Sequence, residues 1–273
     1  MFRTETNPSR LAAALGVAEL IFHASVRHVR KSHGNAVLGL VMAIVQTVIM
    51  IAVFYFMMHI LGMRQMAIRG DFLLFVMSGI FMFMVHNQTM SAVTGAEGPT
   101  SAMMKHSPMN PIVAIAAAAL GTLYIQILSA AVVLYLYHAI VTPISIRVPT
   151  AVLGMLLLAW GSGVGIGMIF LAAKPWQPAL VGIISTLYQR ANMIASGKMF
   201  LANLMTAKML ALFDWNPLFH VIDQARGFAF LNYHPHYSTV SYPIKVMVVC
   251  VAIGLMGQFY TKRYASVSWH AKG

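Results

Sequence analysis

Residues 214–242 read DWNPLFHVIDQARGFAFLNYHPHYSTVSY, a polar and aromatic-rich stretch set between two hydrophobic ones. It contains a helix start. Asn216 can cap, and Pro217 suits the first helical position because an N–H there would lack an intrahelical partner anyway. Asp223 and Arg226 follow at i, i+3, on one helical face and within pairing reach. A short, capped, charged helix between two apolar stretches predicts a helical hairpin, residues 201–242, that either lies on the membrane surface or dips into the membrane region without crossing it. Such backbone is tolerated where protein or water surrounds it.

The rest of the chain supplies the membrane region. Of 273 residues, 59% are hydrophobic and 9% charged, with a mean hydropathy of +0.76, too apolar for a soluble domain with a charged surface. A helical crossing takes roughly 20 apolar residues, and the uncharged runs allow five or six. No separate soluble domain fits between them, so residues 1–273 read as one transmembrane domain. The 22 methionines fill irregular apolar surfaces. Eighteen Lys and Arg against six Asp and Glu give +12. In a membrane protein this balance belongs to cytoplasmic flanks facing anionic headgroups rather than to nucleic acid, and an anionic substrate stays open. Cys250 is the single cysteine, so no intrachain disulfide forms. The first 35 residues lack the apolar core and small-residue site of a cleavable signal peptide.

Residues 9–31 predict an amphipathic helix at the membrane surface. Leu11, Leu15, Ala18, Phe22, Val26 and Val29 share one stripe, opposite His23, Arg27, Arg30 and Lys31. Packing of this helix on other protein carries comparable weight. Spans follow at about 35–61, 72–93, 111–141, 148–173, 178–200 and 243–261. The second ends in His86, Asn87, Gln88 and Thr89, which should face protein or water, more readily as interhelical hydrogen bonds than as substrate contacts. Residues 94–110 form a hydrophilic loop with room for two helical turns between Pro99 and Pro108. Gly161, Gly163, Gly165 and Gly167 in the fourth span give two small-xxx-small pairs for close helix approach. In the fifth, Arg190 should point inward. The first 31 residues and the tail from Lys262 hold eight of the eighteen Lys and Arg, which places both termini in the cytoplasm.

Catalytic chemistry finds little support. The six carboxylates, Glu5, Glu19, Asp71, Glu97, Asp214 and Asp223, fall in tails, loops or interfaces and form no pair on a span face. His234 and His236 lack neighbouring ligands, so no metal site is expected. The sequence has no G-x-x-x-x-G-K-[ST] motif. Energy for active transport would therefore have to come from a separate ATPase.

Asn216-Pro217-Leu218, His220, Asp223 and Arg226-Gly227, with the aromatic run to Tyr233, closely resemble the segment before the last membrane helix of ABC-2-type permeases. Within that superfamily they are nearest to capsular polysaccharide export permeases. Ser196-Gly197 and Phe200 resemble the family's break after span five. The sharp match covers 196–233, and the order of elements agrees over nearly the whole chain. One departure is the absence of proline from residues 204–213, before the gate helix.

The resemblance implies an all-α integral membrane fold of six transmembrane helices, with an N-terminal interfacial helix and a re-entrant hairpin before the last span. It implies the permease subunit of an ATP-driven exporter of lipid-linked capsular polysaccharide in the bacterial inner membrane. That subunit is not itself an enzyme. It would act as a homodimer with two nucleotide-binding subunits that carry ATP and Mg, and with periplasmic and outer-membrane capsule export proteins as further partners. Gly98, Pro99, Ala102, Met103 and Lys105 would meet the ATPase, while Asn216, Pro217, His220, Asp223 and Arg226 would form the gate, with Asp223 and Arg226 paired or Arg226 on the polymer. Sugar rings pack on aromatic faces, which makes Tyr55, Tyr124, Trp160 and Tyr188 channel candidates, with Arg190 beside them. Export of another lipid-linked glycan such as O-antigen or teichoic acid is the alternative within transport. A membrane-embedded glycolipid enzyme or a structural scaffold are the alternatives of other classes.

Overall fold

The computed structural model describes residues 10–31, 35–60, 62, 71–98 and 110–264. Every described element is helical: α1 (Arg10–Lys31), α2 (Ala36–Ile60), α3 (Phe72–Thr94), α4 (Pro111–Ile140), α5 (Pro149–Ala173), α6 (Pro178–Ala195), a 3-10 turn (Ala202–Leu204), α7 (Ala207–Phe213), α8 (Pro217–Ala229) and α9 (Ser241–Tyr264). Helices α2, α3, α4, α5 and α9 are long and apolar enough to cross a membrane. Their starts follow local chemistry. Asp71 caps α3 by accepting from the Leu73 N–H at 2.9 Å, and Asn110 caps α4 through Ile112 at 3.1 Å, with Pro111 in the first turn.

Helix α5 is the axis of the bundle, and its glycines explain why. Gly163 and Gly167 face α3, where an added Cβ would lie 2.5 Å from the His86 carbonyl oxygen and 2.8 Å from the Val93 Cβ. Gly161 and Gly165 face α9, against Met247 and Cys250. The stripe thus serves two neighbours in alternation, and Gly254 and Gly257 of α9 answer it against Met168 and Ala172. Trp160 ties α5 to α4 by donating its indole N–H to the Ala119 carbonyl at 2.8 Å.

Helix α1 is both packed and exposed. Val29 is buried, and Gly121 of α4 leaves room for Ser25 and His28, whereas Leu15 and Phe22 face outward. Packing of this helix on other protein is thus what the bundle shows, against α4.

The fifth stretch departs from expectation. Its helix ends at Ala195 rather than near 200, because Gly197 takes a left-handed backbone (φ 67°) that stops the helix. Arg190 does not point into the bundle but is exposed. At about 100° per residue Tyr188, Gln189 and Asn192 share the face turned to the bundle, and Arg190 falls opposite. The stretch 204–213, which lacks proline, starts its helix another way. Thr206 caps α7, its hydroxyl accepting from the Met209 N–H at 3.4 Å.

Candidate functional site

The hairpin between α6 and α9 docks into the bundle, and each of its turns has an identifiable fastener. Asn216 carries the first. Its Oδ1 accepts from the Leu218 N–H at 3.0 Å, and its Nδ2 donates to Asn192 Oδ1 at 2.8 Å and the Ala195 carbonyl at 3.0 Å. One side chain therefore starts α8 and pins that start to the end of α6. Pro217 follows in the first turn, as expected. From there α8 is buried along most of its length against α3 and α5. At its far end the Ala229 and Phe228 carbonyls accept from Arg147 and Val148 at 3.2 and 3.0 Å, in the connection between α4 and α5.

Asp223 and Arg226 are both buried, and no ion pair forms between them, which corrects the pairing expected from their spacing. Arg226 donates to three backbone carbonyls of the loop after α6: Gly197 at 3.2 Å, Phe200 at 2.6 Å, and Lys198. Its guanidinium lies 4.0 Å over the Phe75 ring. Burial lowers its pKa to about 10, opposed by the negative charge of Asp223, so it stays protonated at neutral pH. Asp223 accepts the Tyr233 hydroxyl and, at 2.6 Å, the Ser238 hydroxyl. Burial and the Asp223 charge both raise the Tyr233 pKa, which keeps the phenol protonated as a donor.

His220 holds the same returning segment. The Thr239 N–H donates to its Nδ1 at 3.1 Å, so the proton sits on Nε2 and is given to the Asp214 carbonyl at 2.7 Å. Gly227 admits the Pro235 ring, which a Cβ would meet at 2.6 Å. The Arg-Gly pair of the motif thus has two jobs, one on each side of α8. His236 exchanges hydrogen bonds with Asn203, its backbone N–H donating to the Asn203 Oδ1 at 3.1 Å.

Lys198 was not singled out in the sequence, yet it is the most unusual group in the site. Its side chain is 2% exposed, and its amine has no hydrogen-bond partner among the described residues. It rests 3.4 Å from the Phe83 ring centre and 4.2 Å from that of Phe54, a cation–π box built from α2 and α3. Gly79 of α3 makes the space, since a Cβ there would meet the Lys198 carbonyl at 2.9 Å and the Arg226 guanidinium at 2.8 Å. Nothing in local spacing signals this box, because its members come from segments far apart in the chain.

A second polar junction joins α3, α5 and α6. Ser162 donates to the Ala159 carbonyl at 2.8 Å and accepts from His86 Nδ1 at 2.9 Å, which leaves His86 Nε2 to accept the Tyr188 hydroxyl at 3.0 Å. Gln189 donates to Ser91 at 2.8 Å. At the polar end of the second span His86 and Gln88 thus make interhelical hydrogen bonds, whereas Asn87 Oδ1 and Thr89 Oγ1 are buried with no partner among the described residues. Tyr188 belongs to this junction.

The other aromatic candidates do not converge with it. Tyr55 is half-buried against His59 and Phe72, Trp160 packs between α5 and α4, and Tyr124 is exposed beside α1. Of the residues expected to meet an ATPase, Gly98 is described, in contact range of Leu171. Pro99, Ala102, Met103 and Lys105 lie outside the described residues. What the site can do chemically is hold non-helical backbone inside the bundle and bury two basic side chains beside it, and burial pulls the Lys198 pKa down to about 7, so that amine is partly neutral at neutral pH. Neither protein-family models nor curated proteins yield a match to the chain.

Proposed function

We propose that the chain is the permease subunit of an ATP-driven, ABC-2-type exporter that moves lipid-linked capsular polysaccharide across the bacterial inner membrane. The observation that carries this reading is the hairpin docked on Gly79. The 197–200 loop lies beside a residue seven positions into α3, roughly 10 Å along that helix. Backbone at such depth needs its carbonyls satisfied by protein, and Arg226 satisfies three of them. Helix α8, with 13 residues, is about 20 Å long and too short to cross a bilayer. A segment that enters, turns on a capped helix and returns before the last span is the re-entrant gate of the resembling family.

Helix α6 serves as the sixth crossing. Its 18 residues reach about 27 Å, and its apolar outer face, with Ile183, Leu187 and Ile194 exposed, suits lipid or a second protomer. Six crossings put both termini in the cytoplasm, in agreement with the Lys and Arg bias. The 94–110 loop then lies on the same side, where two ATPase subunits supply ATP and Mg to a homodimer. Export of O-antigen or teichoic acid would use the same machinery.

Two experiments test this reading. In a Cys250→Ser background, cysteines at positions 69 and 234 should label from outside and at 105 only from inside. External labelling at 105 sinks the topology. Cysteine at Ala102 or Met103 should crosslink to a copurifying nucleotide-binding protein, and the purified chain alone should hydrolyse no ATP. Robust turnover by the lone chain, as a membrane enzyme would show, or absence of any ATPase partner overturns the assignment.

A further inference from the structure

A cleft of about 600 Å³ opens between α1, α2, α3 and α4, in the half of the bundle where α2 begins and α3 ends. Three helices each turn a glutamine into it: Gln46, Gln88 and Gln126. Gln88 donates to Gln46 Oε1 at 3.1 Å, which leaves the Gln46 amide N–H and the Gln88 carbonyl for other partners. Gln126 is 6% exposed, and its carboxamide makes no hydrogen bond with the described residues. What exposure the carboxamide has is to the cleft it lines, and a polar group kept there in a membrane-facing bundle marks a binding path or water-filled space.

The remaining lining narrows the ligand. Thr122 spends its proton on the Ala118 carbonyl and keeps its lone pairs, and Ser91 accepts from Gln189 and keeps its proton. Both face the cleft, whose walls carry His28 and are otherwise aliphatic, from Met42, Ile49 and Ile125. Among the described residues no Lys, Arg, Asp or Glu lines it, and His28 is its one titratable side chain. A phosphate or carboxylate would enter without a permanent cation to meet it, since an imidazole is largely neutral at pH 7. Carboxamides and hydroxyls that both donate and accept are the chemistry that reads sugar hydroxyls, and the aliphatic wall suits alkyl carbons beside them.

We propose that this cleft binds the neutral sugar headgroup of a glycolipid, with its hydroxyls on the three glutamines and its lipid carbons on the aliphatic wall. Its physiological meaning rests on the export reading, in which it holds the sugar nearest the lipid anchor. The binding itself is a property of this chain alone.

Native mass spectrometry on the purified full-length chain in a sugar-free polyoxyethylene detergent tests it. Glucosyl-diacylglycerol should be retained at least about tenfold better than diacylglycerol or phosphatidylglycerol of the same acyl chains, and free maltose should leave no adduct. Gln126→Leu should abolish that preference while its melting midpoint holds or rises, since an amide without a partner is removed. If that variant fails to fold, Gln46→Leu, at the exposed side of the cleft, must lower the preference instead. Equal retention of the lipids, a preference for phosphatidylglycerol, binding of free maltose, or a preference that survives in the folded variant overturns the proposal. Capture of an ATPase is measured separately, so failure of either result leaves the other standing.

Discussion

Asp223 and Arg226 lie one turn apart on α8 and bind different parts of the chain. Arg226 fastens the carbonyls of Gly197, Lys198 and Phe200, while Asp223 fastens Tyr233 and Ser238. The helix therefore holds the entering loop with a donor fork and the returning segment with an acceptor. Their charges are matched to backbone carbonyls and hydroxyls rather than to each other.

Exchanging the two charges should not repair anything. Asp223→Arg with Arg226→Asp sets a carboxylate against three carbonyl oxygens and a guanidinium against two hydroxyls. The double variant should melt no higher than Arg226→Asp alone. Arg226→Ala should cost at least about 2 kcal/mol, since the Lys198 and Phe200 carbonyls lose their donor while Gly197 keeps the Phe200 N–H, and each buried carbonyl left without a donor costs about 1–3 kcal/mol. Thermal unfolding in detergent reads both. Recovery of the double variant to near wild-type stability would show that the two residues act as a pair after all.

Tyr233→Phe and Ser238→Ala each remove one donor from a buried carboxylate. Hydrogen bonds to charged groups are worth about 1.5–3 kcal/mol, and each variant should lose that order of stability. Tyr237→Phe is the control, because Tyr237 is 53% exposed and should stay within about 0.5 kcal/mol of wild type. Equal melting of all three variants would remove Asp223 from its role as the anchor of the returning segment.

What the sequence made legible was local. Asn216-Pro217 announced the start of α8, the glycine stripe announced close packing of α5, and the uncharged runs located the five long helices within a few residues. Each of these signals sits in a window shorter than one helix. The pairing of Asp223 with Arg226 was read by the same local rule and failed, because two distant segments compete for these side chains. Lys198, Phe54, Phe83 and Gly79 were invisible for a related reason: only the folded bundle brings them together. Arg190 illustrates a third limit. Its charge suggested an inward direction, but the polar row of Tyr188, Gln189 and Asn192 already occupies the inward face.

The glycines of α5 separate packing from flexibility. Gly163→Ala drives a methyl group into the His86 carbonyl oxygen at 2.5 Å, against backbone that cannot step aside, and should cost about 1–3 kcal/mol. Gly154→Ala on the same helix meets nothing within 4 Å and should be neutral or stabilising by up to about 1 kcal/mol. If the two variants melt alike, close approach of α3 and α5 is not what the stripe provides.

Lys198 offers the clearest contrast between stability and use. Its ammonium is enclosed without a hydrogen-bond acceptor, and two aromatic faces are its compensation. A desolvated cation–π contact gives about 2 kcal/mol, whereas removing an ion from water costs several kcal/mol, a cost the amine limits by giving up its proton near pH 7. Methionine has a similar reach, packs well on aromatic rings and carries no charge. Lys198→Met should therefore raise stability by about 1 kcal/mol or more, while Lys198→Ala should lower it by opening a cavity between Phe54 and Phe83. If export by the Lys198→Met variant falls while its melting point rises, the charge is retained for transport at the expense of stability, as functional sites often require. A fall in melting point instead means that the ammonium finds an acceptor in the membrane-embedded protein, and Lys198 is then part of the fastening that Arg226 performs on the same loop.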